Sequence, residues 1–168
     1  MITYILIVLF SFFLDGIMSN CFFSSFFYIS FFNTIYTIIS LVIIINFFTN
    51  YKKYIALTAV IGILFDIVFT NTLALNIFLF PLLGLWIIWL NSKLSNNIVN
   101  NVIISQTTIF LYYTVVFFLL KLINYFDYNI LLLFKLLINS IMATTFYSIV
   151  LTIILKKIDN KFNLKIVK

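Results

Sequence analysis

Long apolar runs, interrupted by short polar clusters, make up almost the whole chain. The interruptions are Ser19-Asn20, Thr49-Asn-Tyr-Lys-Lys53, Thr70-Asn-Thr72, Asn91-Ser-Lys-Leu-Ser-Asn-Asn97 and Lys121 to Asn129. Between them lie stretches long enough for helices that cross the hydrocarbon of a bilayer, which takes about 20 residues each. The pattern places spans at about 2–18, 28–48, 54–70, 73–91, 100–120 and 134–155. Residues Cys21 to Phe32 either lengthen the second helix or lie at the interface as an aromatic belt. The expected fold class is therefore all-α. It is a polytopic bundle of six transmembrane helices in one domain, 1–168, with a basic tail at 156–168. Five helices is the rival count if Cys21 to Phe48 is partly re-entrant.

Composition turns this pattern into a membrane assignment. Of 168 residues, 65% are hydrophobic and only 8% are charged, with a mean hydropathy of +1.25. A soluble domain carries about 25% charged residues, so this chain could not cover its surface in water. The excess of Phe, Ile, Asn and Lys resembles the bias of an AT-rich genome, which weakens any reading of the aromatic residues as a ligand cage. With no histidine and a single cysteine, Cys21, no metal site and no cofactor are expected, and no internal disulfide can form. Met1 to Leu14 is apolar like the core of a signal peptide. It lacks a basic leader and a small-residue cleavage site, and Asn20 is a poor residue before Cys21 for a lipoprotein box, so a retained first helix is expected.

Charge placement sets the expected orientation. The ten basic residues are all lysine, against four aspartates. With both termini inside, Lys52, Lys53, Lys93, Lys156, Lys157, Lys161, Lys165 and Lys168 fall on the cytoplasmic side, leaving Lys121 and Lys135 outside. The outer pair sits at helix ends, where a lysine can snorkel. The basic tail suits contact with anionic headgroups.

Two carboxylates, Asp15 and Asp66, interrupt apolar helices, where charge is costly. They share a pattern of Asp, three residues, Ser or Thr, then Asn: Asp15 with Ser19-Asn20 and Asp66 with Thr70-Asn71. Each lies toward the C-terminal end of its expected helix, against the negative pole of the macrodipole, and so needs a compensating donor. Several roles stay open: fixing a turn at the outer interface, a polar contact joining the first and third helices, a ligand contact, or proton chemistry. Ser30, Asn33, Thr37 and Ser40 fall on one face of the second helix, and Ser140, Thr144 and Ser148 on one face of the sixth, beside Ala143. In lipid such stripes face protein. Asn139 and Gln106 are candidates for interhelical hydrogen bonds. Pro81 removes a backbone donor inside the fourth helix, three residues before Gly84, so a kink is expected near Ile77.

No phosphate loop, nucleophile elbow or zinc-protease motif is present. The membrane aspartates invite comparison with the aspartyl signal peptidase of lipoproteins, but that family sets an Asn-Arg pair before a catalytic Asp, and this chain has no arginine. No enzymatic activity is expected.

The string GILFDIVFTNTLALNIFLFPLLGLWI, Gly62 to Ile87, resembles the MreD family of rod-shape-determining membrane proteins. Phe13-Leu-Asp15-Gly-Ile-Met-Ser-Asn20 is similar to that family's N-terminal segment. A proline common near the start of the family's second helix is replaced here by Asn33-Thr-Ile-Tyr36. The resemblance implies a multi-pass protein of the bacterial plasma membrane. It would be a non-enzymatic subunit of the cell-wall elongation machinery, with MreC and the cell-wall synthase complex as partners. It implies no nucleic acid and no small-molecule substrate, and makes Asp15, Asn20, Asp66, Asn71, Asn76 and Pro81 the candidate interface or structural positions. The alternative is a substrate-binding subunit of an energy-coupling-factor vitamin transporter, which is also a small six-helix protein with similar architecture. That role needs an outward cavity with convergent polar groups.

Overall fold

The computed structural model describes residues 2–22, 34–48, 50–70, 75–122 and 130–162. They form six helices. These are α1 (Ile2–Phe22), α2 (Tyr36–Ile44, continued by a 3-10 turn, Ile45–Phe47), α3 (Tyr51–Phe65), α4 (Leu75–Lys93), α5 (Ile98–Leu122) and α6 (Ile130–Phe162). A single π-helical turn, Asp66–Thr70, prolongs α3. Three helical stretches are long and apolar enough to cross a membrane: Leu75–Lys93, Ile98–Leu122 and Leu133–Ile158.

The α1–α2 and α3–α4 pairs run antiparallel. Tyr4 near the start of α1 stacks on Phe47 at the end of α2, with ring centroids 4.7 Å apart. Gly62 of α3 meets Asn76 of α4, and Thr58 meets Gly84. Gln106 of α5 reaches the Ile141 carbonyl of α6 at 3.0 Å. A glycine is required at position 62, because a Cβ there would stand 2.4 Å from the Asn76 carbonyl oxygen. That contact fixes how closely α3 and α4 approach.

α2 occupies the centre of the bundle, packed against α1, α5 and α6, with its 3-10 turn against α4. Every residue from Tyr36 to Ile44 is buried. A helix apolar on all sides can lose all its surface to neighbours, and Ile38, Ile39, Ile43 and Ile44 do so here. The outside of the bundle is apolar too. Phe10, Phe13, Phe78, Phe134 and Phe146 are all more than half exposed, a surface that suits hydrocarbon and not water.

Several expected boundaries move. α1 does not stop at residue 18 but continues through Ser19-Asn20 to Phe22, since isolated Ser and Asn do not end a helix whose backbone bonds are intact. The second helix does not begin at 28. Ile35 is extended and the helix starts at Tyr36, while residues 28–33, with Ser30 and Asn33, lie outside the described residues. The sixth helix runs past 155 to Phe162, so the first residues of the basic tail are helical.

Candidate functional site

The start of α2 has a problem that its own sequence cannot solve. Its N-cap residue, Ile35, has no side-chain acceptor, yet the first N–H groups of a helix need partners. Asp15 of α1 supplies them. Its Oδ1 accepts from the Tyr36 N–H at 2.7 Å, and its Oδ2 accepts from the Thr37 N–H at 3.0 Å and from the Thr37 hydroxyl. Asp66 does the same for α4. Its Oδ1 accepts from the backbone and side-chain amides of Asn76, both at 3.0 Å, and its Oδ2 from the Ile77 N–H at 2.9 Å. Each carboxylate therefore lies at the positive pole of the following helix, where a negative charge is stabilised.

The two acids anchor a polar layer across the bundle. Asn76 accepts from the Tyr112 hydroxyl at 3.0 Å, joining α3, α4 and α5. On the Asp15 side, Ser11 and Tyr147 hydroxyls meet at 2.8 Å, joining α1 to α6. Ser11 donates its own proton to the Ile7 carbonyl, so Tyr147 is the donor in that pair. Thr34 and Thr144 meet at 2.9 Å. Thr144 donates to Ser140, so Thr34 is the donor there. Tyr36 and Tyr147 pack edge to face, with centroids 4.8 Å apart.

This layer is level with the middle of α5 and α6, at Tyr112 and at Thr144 to Tyr147, and not with their ends. Both acids are buried inside the bundle, not exposed on a turn. Nor does a polar contact between them join the first and third helices. Phe12 instead packs on Phe65 and Phe69, at 5.5 and 5.1 Å between centroids, and a Cβ on Gly16 would stand 3.5 Å from the Phe69 ring. Aromatic packing fills the space between the two acids.

The remaining candidates divide. Asn76 is part of the layer, completely buried. Pro81 stands one turn beyond Ile77 in a helix that continues through it. Its missing N–H leaves the Ile77 carbonyl without its usual intrahelical donor. Asn20 lies in the last turn of α1. Asn71 lies outside the described residues. Of the two small-residue stripes, Thr37 and Ser40 in one, and Ser140, Thr144 and Ser148 in the other, have no exposed surface. Gln106 bridges α5 and α6 through Ile141 and Thr145.

Sequence reasoning missed Ser11, Thr34, Tyr112 and Tyr147. The compositional discount on aromatic residues hid the two tyrosines. Their signal was a hydroxyl placed in an apolar helix, which in lipid needs a partner. Chemically, the layer is built to hold helices together, because the Asp15 and Asp66 carboxylates receive backbone and side-chain donors from α2 and α4. Among the described residues no cluster of three His, Cys, Asp or Glu side chains could hold a metal ion.

The class these features define is an all-helical bundle of the kind that resides in membranes, with its buried polar groups used as interhelical joints. No family model matches the chain, and neither a curated protein nor a solved structure was found to be similar to it.

Proposed function

We propose that the protein is a non-enzymatic subunit of the bacterial cell-wall elongation and cell-shape machinery, acting by partner binding. In this reading it crosses the plasma membrane six times with both termini in the cytoplasm, and it meets MreC and, through it, the cell-wall synthases. The supporting observation is how the polar residues are used. Asp15, Asp66, Asn76, Thr37 and Tyr112 are all engaged in joining helices, which suits a scaffold. The sequence resemblance over Gly62 to Ile87 and the gathering of lysines on one side support the same reading.

One feature favours the transporter-subunit alternative. α2 starts midway through the bundle beside a polar layer, as do the discontinuous helices that border substrate sites in transporters. Affinity purification of the tagged full-length protein from its native cells in mild detergent separates the two. Recovery of MreC and cell-wall synthases is the expected result. Recovery of a transmembrane coupling protein with paired ATPases would overturn it in favour of the transporter.

A further inference from the structure

One end of the α3–α4 hairpin carries an unusual combination of groups. Trp86 and Trp89 stack with centroids 5.1 Å apart and planes 30° from each other. The Lys93 ammonium lies 4.0 Å from the Trp89 ring centroid, a cation–π contact that holds the charge beside the aromatic wall. The pairing of Thr58 with Gly84, followed antiparallel for two further turns, brings Tyr51, Lys52 and Lys53 level with Trp89 to Lys93. Lys52, Lys53 and Lys93 are all exposed. Three acids lie in the described residues: Asp15 and Asp66 cap α2 and α4 at the other end of the hairpin, so neither neutralises these charges, and Asp159 lies in the last turns of α6.

Below this basic end the α4 surface turns apolar in one line. Lys93, Trp89, Leu85, Leu82 and Phe78 recur at helical spacing on one face, and Trp89, Leu85, Leu82 and Phe78 are 47, 56, 53 and 74% exposed. α3 repeats the polarity, with exposed Lys53 leading to Val60, Ile63 and Ile67. A cationic head followed by an apolar track complements one kind of molecule, an anionic lipid with its phosphate at the lysines and an acyl chain along the track.

We propose that this face is a binding site for an anionic glycerophospholipid, with Lys52, Lys53 and Lys93 holding the phosphate and Trp89 positioning Lys93. The site rests on the bundle lying in a membrane and not on which protein complex it joins. Charge complementarity selects the lipid over a partner helix, because three clustered lysines would disfavour burial against protein.

The chain's only tryptophans are Trp86 and Trp89, so their fluorescence reports on the site alone. The full-length protein is reconstituted in vesicles of phosphatidylcholine containing either brominated phosphatidylglycerol or brominated phosphatidylcholine. The expected result is quenching by the anionic lipid at mole fractions at least about fivefold lower, since a lysine near the headgroups contributes about that factor. Lys93→Gln should reduce the preference by about fivefold, and Lys52→Gln with Lys53→Gln should remove most of the rest. Equal quenching by both lipids overturns the proposal, as does a preference that survives all three substitutions. Quenching by neither lipid in the reconstituted protein overturns it too, and means that protein covers the face. Quenching by brominated phosphatidylcholine in every variant controls for membrane insertion.

Discussion

The α1–α2 and α3–α4 hairpins use the same joint in different surroundings. In both, an aspartate of the first helix caps the start of the second. In the first pair the capped helix is nine residues long, is buried on every side, and is separated from its acid by 21 residues. In the second it has 19 residues, keeps one face exposed, and follows its acid by 10 residues. The difference teaches where a cap matters most. α4 has length, lipid-facing surface and the tight Gly62 contact to keep it in place, whereas the first turn of α2 depends on Asp15.

Replacing each acid tests that comparison most severely. Asp15→Ala strands two buried N–H groups and a hydroxyl, each lost bond costing roughly 1–3 kcal/mol. It should lower the thermal unfolding midpoint in mild detergent more than Asp66→Ala, Gly62→Ala or Gln106→Leu. Asp66→Ala should cost less, because α4 retains its other supports; equal losses would break the contrast between the hairpins. Asn at either position keeps one acceptor and should fall between Asp and Ala.

Next in size is Gly62→Ala. The new methyl meets the Asn76 carbonyl oxygen at 2.4 Å, and forcing the helices apart should cost about 1–3 kcal/mol. Gly84→Ala meets only the Thr58 side chain, at 3.1 Å, and should lose less in the same detergent melt. If the order were reversed, close backbone approach near Asp66 would not be what supports α4. The smallest effect is expected from Gln106→Leu, which removes the α5–α6 bridge outside both hairpins. A change of about 0.6 kcal/mol, typical of interhelical bonds in membranes, should leave the Asp15 and Asp66 costs additive with it in double variants.

These joints explain how much of the molecule could be read in advance. α4 and α5 were legible because their limits coincide with polar clusters, at Asn91 to Asn97 and at Lys121. The start of α2 was not, because its cap comes from Asp15 on another helix while Ile35 carries no local signal. The acids were conspicuous as charges among apolar residues. Their partners were not, since Tyr36 and Thr37 sit in a sequence whose aromatic and hydroxyl residues recur everywhere. Asn76 stood out as an amide within the string that holds Asp66, and it proved to bridge that acid to Tyr112.

The short length of α2 has a consequence for how the chain is made. Its helical part, Tyr36–Phe47, reaches about 18 Å, well below the roughly 30 Å of a hydrocarbon core. It also keeps no face for lipid. Such a segment gains little by partitioning into the bilayer alone, so its final position is acquired by docking onto helices already inserted. Biogenesis of this protein should therefore end in an interior assembly step, with α5 and α6, synthesised last, closing around a helix that emerged from the ribosome long before them.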